Sequence, residues 1–165
     1  KECPTNIDEK RIYTVTGDNK NILTKTGTDN YYCGTICENE LDRSIEEHKW
    51  KIKILKTKKK EIYIGVASID FKILSDICKT DGRFLCCSNS RLYSGPPFNY
   101  SYRETNLSKM NDEIIIVMNM QRRALRFIIN GEDKGDSFTN IPIDKPICPV
   151  VVLLHQGDSI EIIEC

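Results

Sequence analysis

The stretch ALRFIINGEDKGDSF, residues 124–138, reads as a strand, a tight turn and a return strand. Leu125, Phe127 and Ile129 alternate along it, so three apolar side chains share one face. Asn130-Gly131 then supplies the left-handed backbone that a two-residue hairpin turn requires. Downstream, ICPVVVLLHQGDSIEII (147–163) holds two more strand-like runs on either side of His155-Gln156-Gly157-Asp158. These are expected to pair as a last hairpin with an exposed tip. Such an end is either a catalytic platform or half of a β-sandwich whose loops do the work.

Working back along the chain, period-two alternation continues. In HKWKIKIL (48–55) Trp50, Ile52 and Ile54 face one way and Lys49, Lys51 and Lys53 the other, as in a half-buried antiparallel strand. In EIYIGVAS (61–68) Ile62, Ile64 and Val66 share a face, and the lysine-rich segment between the two runs predicts a hairpin. EIIIVMNM (113–120) is apolar on both faces and belongs inside a sheet. RIYTVTG (11–17) and YYCGTICE (31–38) read as shorter strands, and NELDRSIEEH (39–48) has room for one helical turn. From Asp70 to Lys109 loop chemistry dominates. The sum is an all-β chain of roughly ten or more strands, a sandwich or barrel.

Composition is consistent with this. At 165 residues, 39% hydrophobic and 29% charged, the chain is long enough for one domain with a sizeable core. A single domain is expected over 1–165, with its core at about 13–165 and residues 1–12 as an N-terminal extension. The first residue is Lys1 rather than Met, which suggests a processed chain or a piece of a longer protein. A formal net charge of +0 gives no global attraction to nucleic acid or anionic lipid, and no apolar run approaches the roughly 20 residues of a membrane helix. Neither nucleic acid nor membrane is therefore an expected partner.

Eight cysteines raise the question of bridges or metal. Cys86 and Cys87 are adjacent, which disfavours pairing, and several cysteines lie in strand-like runs where a thiol packs as a small apolar group. Reduced thiols and a cytoplasmic or nuclear location are expected. Two glycosylation triplets, at Asn99 and Asn106, are the features favouring secretion. Cys33 and Cys37 have a metal-like spacing, but on an extended strand they stand roughly 13 Å apart, too far for one zinc. No metal and no cofactor are expected. His48 should share the Trp50 face as a packing or hydrogen-bonding residue. His155 should lie exposed at the last turn, without a nucleophile motif to serve. Lys56 to Lys60 reads as a solvated turn.

The order of these motifs resembles the SPRY domain family. EEHKWKIKI (46–54) followed by IYIGVAS (62–68) is similar to the family's H-x-W-x-V-x-V and I-G-V strands. RLYSG (91–95) is similar to its central tyrosine-glycine segment, and residues 111–154 to its closing half. The chain departs from the pattern at Asn119, where many relatives carry aspartate, and in lacking a tryptophan-glycine-aromatic run before Tyr93.

The resemblance implies a bent two-sheet antiparallel β-sandwich, a relative of the concanavalin-type jelly roll. It further implies a non-catalytic protein–protein interaction module or adaptor, monomeric as an isolated domain. Such a module would recognise a short peptide segment and belong to a larger regulatory or ubiquitin-ligase-associated protein. A lectin-like carbohydrate-binding sandwich is the alternative. By resemblance the partner-binding residues fall in three segments: Thr28, Asp29, Asn30, Tyr31 and Tyr32; Asp76, Ile77 and Lys79 within Asp70–Asp81; and His155, Gln156 and Gly157 within the last turn, His155–Asp158.

Overall fold

The structure is a computed structural model describing residues 13–28, 33–36, 40–59, 61–70, 82–88, 91–94, 99–101 and 112–164. Within these residues the regular structure is all strand. In chain order the strands are β1 (Tyr13–Thr16), β2 (Ile22–Lys25), β3 (Cys33–Ile36), β4 (Glu47–Lys56), β5 (Ile62–Ser68), β6 (Arg83–Cys86) and β7 (Arg91–Ser94). They continue as β8 (Asn99–Ser101), β9 (Glu113–Asn119), β10 (Ala124–Ile129), β11 (Glu132–Phe138), β12 (Ile147–Leu153) and β13 (Ser159–Glu164). They form a seven-stranded sheet, β1-β2-β13-β4-β9-β10-β11, and a six-stranded sheet, β3-β12-β5-β6-β7-β8. Each neighbouring pair is antiparallel. The expected two-sheet antiparallel sandwich is the fold observed.

Alternation explains the layer between the sheets. Trp50, Ile52 and Ile54 of β4, Ile114, Ile116 and Met118 of β9, and Leu125, Phe127 and Ile129 of β10 belong to one buried cluster with Ile62, Ile64 and Val66 of β5 and Val151 and Leu153 of β12. β5 and β12 are buried along their whole length because a second cluster covers their other face. It comprises Tyr63, Ala67, Phe84, Cys86, Val150 and Val152, with Tyr93 packed edge-on to Tyr63 at 5.5 Å between ring centroids. Gly65 lies where β6 comes closest: a Cβ there would stand 1.8 Å from the Arg83 carbonyl oxygen. Cys86, Cys87 and Cys148 are buried and form no disulfide, and burial pushes the Cys87 thiol well above its ordinary value.

The 124–138 hairpin forms as read. Asn130 and Gly131 have φ of 49° and 86°, and two one-residue register shifts in β11 bring Phe138 opposite Leu125.

Three expectations need correction. β4 and β5 do not pair as a hairpin; β4 lies between β13 and β9 in one sheet, and β5 between β12 and β6 in the other. β12 and β13 likewise lie in different sheets, so the last turn is a crossover between layers. Alternation fixes which face of a strand is buried, and that face packs equally well beside a neighbour or across the core from it. Lastly, residues 40–48 hold no helix. The Asp42 carboxylate accepts from the Ser44 amide at 2.8 Å and hydroxyl at 2.7 Å, closing a local turn that competes with a helix. β2 carries too short a pattern to stand out in the sequence.

Trp50, 7% exposed, is the sole tryptophan, so native emission should be blue-shifted, and Trp50→Ala should cost about 3–5 kcal/mol. Gly65→Ala should cost about 1–3 kcal/mol by forcing β5 and β6 apart. Solvent-like emission from the native protein, or a Gly65→Ala variant that melts like the parent, would contradict this packing.

Candidate interaction surface at one end of the sandwich

Two crossovers between the sheets lie side by side at one end. β4 reaches this end at Lys56 and β5 leaves it at Ile62, while β12 arrives at Leu153 and β13 leaves at Ser159. The pairings Lys56↔Ser159 and Ile62↔Leu153 set the two connections next to each other. β2 arrives at the same end, with Thr24 opposite Ser159.

Backbone groups in such crossovers have no ladder partner, and buried side chains supply one. Asp158 is wholly buried, and its Oδ1 accepts from the Lys58 amide at 2.8 Å while Oδ2 accepts from the His155 amide at 3.1 Å. Its own amide donates to the His155 carbonyl at 3.0 Å, and its carbonyl accepts from the Lys25 amide at 2.9 Å. The Lys25 carbonyl accepts from the Gly157 amide at 2.8 Å. The Lys25 side chain is 1% exposed and its Nζ donates to the Leu154 carbonyl at 2.5 Å. The His155 Nε2 is bonded to the Glu61 carboxylate, tying one crossover to the other.

His155 is therefore buried, against the expectation of an exposed tip. The connection spans two layers, and His155 tucks in against Glu61. Gln156 is exposed, and its Nε2 donates to the Thr26 carbonyl at 3.1 Å; Thr26 and Thr28 are exposed beside it. His48, half-buried, bonds through Nε2 to the Asp42 carbonyl at 2.8 Å, the packing and hydrogen-bonding role expected of it.

The three segments expected to converge are anchored at two ends. Thr28 belongs to this end, and its segment leads to Cys33, which pairs with Leu153. Asp29, Asn30, Tyr31, Tyr32, Asp76, Ile77 and Lys79 lie outside the described residues. The strands flanking the segment of Asp76 attach elsewhere: Ser68 pairs with Ile147 and Arg83 with Val66. That end lies about 20 Å along β12 from Leu153, at about 3.3 Å per residue. There a cleft of about 180 Å³ is lined by Val66, Ala67, Arg83, Ile141, Pro142 and Lys145. Lys145 Nζ lies 2.9 Å from Asp70 Oδ2, and the Ser68 hydroxyl donates to Oδ1 at 2.5 Å.

Lys25 and Glu61 were not legible as site residues, and Asp158, which closes the last-turn segment, was legible as part of that turn but not as its buried tie. One signal existed: Lys25 stands two residues after Leu23, on the face that alternation buries. Among the described residues no group of three His, Cys, Asp or Glu side chains is placed to hold a metal.

Removing the Asp158 carboxylate leaves the Lys58 and His155 amides without their acceptor, so Asp158→Ala should lower stability by about 2–4 kcal/mol in denaturant melts. A loss under about 1 kcal/mol would show that these bonds do not hold the crossovers.

At the other end, the hydrogen bonds from Lys145 and then Ser68 hold the Asp70 carboxyl below its ordinary value. Its stabilising contribution is present above the unfolded carboxyl pKa and is lost as pH falls through the lower folded value. Carboxyl titration by NMR should show Asp70 moving upward in Lys145→Met. An unmoved titration would contradict the pairing.

The sequence profile of the SPRY domain family matches residues 47–165. No curated protein matches the chain by sequence. Solved structures share its fold. The SPRY domain of human HERC1 aligns with TM-score 0.76 and 18% identity, over 95% of this chain and 96% of that one. A second human SPRY domain gives TM-score 0.75 and 14% identity, over 92% and 94%. The PSpry domain of TRIM65 gives 0.71 and 10%, over 94% and 87%. With the profile covering well over half of its length, and with the two-sheet sandwich in place, the chain belongs to the SPRY domain family, a family of protein-interaction modules.

Proposed function

We propose that this domain is a non-catalytic adaptor that recognises a short segment of a partner protein at the end where the two crossovers meet. The observation that carries this reading is the contrast at one end of the sandwich: Gln156, Thr26 and Thr28 are exposed, while Asp158, Lys25 and His155 beside them are buried and hydrogen-bonded. A rigid base carrying exposed polar groups loses little entropy when a peptide docks, which favours recognition. Tyr31 and Tyr32, from the segment leading to β3, would add aromatic contact area. The second predicted segment, around Asp76, joins the same site only if its residues extend from the far end of the sheet. The domain would act as a monomer within a larger regulatory or ubiquitin-ligase-associated protein, in the cytoplasm or nucleus.

Capture of a partner from cell lysate, followed by calorimetry with the minimal bound segment, tests this. Gln156→Ala, Tyr31→Ala or Tyr32→Ala should cost about 2 kcal/mol or more in binding with melting temperature unchanged. His155→Ala and Phe127→Ala should lower melting temperature and binding together. Binding that ignores Gln156, Tyr31 and Tyr32 but falls with Asp76→Ala would move recognition to the opposite end. Selective retention on a glycan array, with no protein captured, would favour a lectin.

A further inference from the structure

The crossover from β4 to β5 places three exposed lysines against the turn just described. Lys56, Lys58 and Lys59 are all exposed. The Lys58 amide is bonded to Asp158, which fixes its backbone against the last crossover. The Lys56 Nζ stands 3.9 Å from the point where a side chain on Gly157 would begin, so its ammonium overhangs the turn. None of the three forms an ion pair among the described residues, whereas Lys49, Lys51, Lys134 and Lys145 each lie beside a carboxylate.

The acids nearest in these connections are already engaged. Asp158 is buried and spends both oxygens on amides, and the Glu61 carboxylate is held by His155. Across the described residues of the three segments, 25–28, 56–61 and 154–158, four lysines face two acids. This end therefore carries a local excess of two positive charges in a chain whose formal net charge is +0.

We propose that the partner segment is acidic, and that Lys56, Lys58 and Lys59 select it by charge while Gln156 and Thr26 contact its backbone. This rests on the reading of the crossover end as a peptide site and names the chemistry of its ligand. Exposed ammonium groups steer an oppositely charged segment and suppress basic competitors. Base stacking would need aromatic rings interleaved with the lysines, and residues 56–59 contain none. Insertion into lipid would need an exposed apolar group. The exposed large hydrophobic residues described, Val15, Ile45 and Ile69, lie in β1 and at the opposite end.

A displayed library of random peptides selected against the whole chain, with each recovered sequence measured by anisotropy, tests the proposal. Recovered peptides should be enriched in Asp and Glu and should weaken as salt rises. Affinity should fall about tenfold or more in the Lys56→Glu, Lys58→Glu, Lys59→Glu triple variant. Lys49→Glu, on the outer face of β4, should leave affinity within about twofold, since its charge is distant and screened. Neutral or basic peptides that depend on Gln156 but not on the lysines would overturn the acidic specificity and leave the peptide site standing. Peptides indifferent to both would overturn the two together. An empty selection, or binding by the same lysines to phosphatidylserine vesicles alone, would also overturn the proposal.

Discussion

Asp158 bears the constraint on which this end of the molecule depends. A sandwich in which successive strands occupy opposite sheets must carry its chain across a layer about 10 Å thick, through backbone that no ladder satisfies. Here two such crossings occur at one place. One buried carboxylate accepts an amide from each, at Lys58 and at His155. Lys25 completes the arrangement by bonding the Leu154 carbonyl through Nζ and exchanging backbone bonds with the same turn. The sheets are joined through the core by Trp50 and its aliphatic neighbours, and at their rim by this set of polar bonds.

Rigidity below and exposure above follow from the same geometry. Because buried groups fix the turn, exposed side chains above it can be spent on recognition. Lys56, Lys58 and Lys59 illustrate the point, since their side chains contribute no described ion pair to the fold. The opposite end is built differently. Asp70 and Lys145 pair across the lip of an apolar cleft, so the charges there serve each other. The two ends of one sandwich thus offer distinct chemistry, one with exposed lysines above a buried polar base, the other a cleft edged by the Asp70–Lys145 ion pair.

The sequence carried the strand faces and little of the strand neighbours. Trp50, Ile52 and Ile54, the buried run in β9, and the Asn130-Gly131 turn were all readable, because period and turn chemistry are local. Whether β4 turns back on itself or crosses to the other sheet is a property of packing, and alternation is the same in either case. That ambiguity misplaced His155, which looked like an exposed tip and is instead a buried tie to Glu61. Asp158 looked like ordinary turn chemistry for the same reason. Family resemblance supplied the architecture, yet it gathered Thr28, Asp76 and His155 into one site, whereas the strands flanking the segment of Asp76 attach about 20 Å along β12 from Leu153, at about 3.3 Å per residue.

Amide chemical-shift mapping of the whole chain during titration with a bound partner segment locates recognition without disturbing the fold. The account predicts that the largest shifts cluster at residues 26–28, 56–61 and 155–158, with the cleft around Val66, Ile141 and Lys145 unmoved. Shifts concentrated at that cleft, with the crossover end silent, would contradict it.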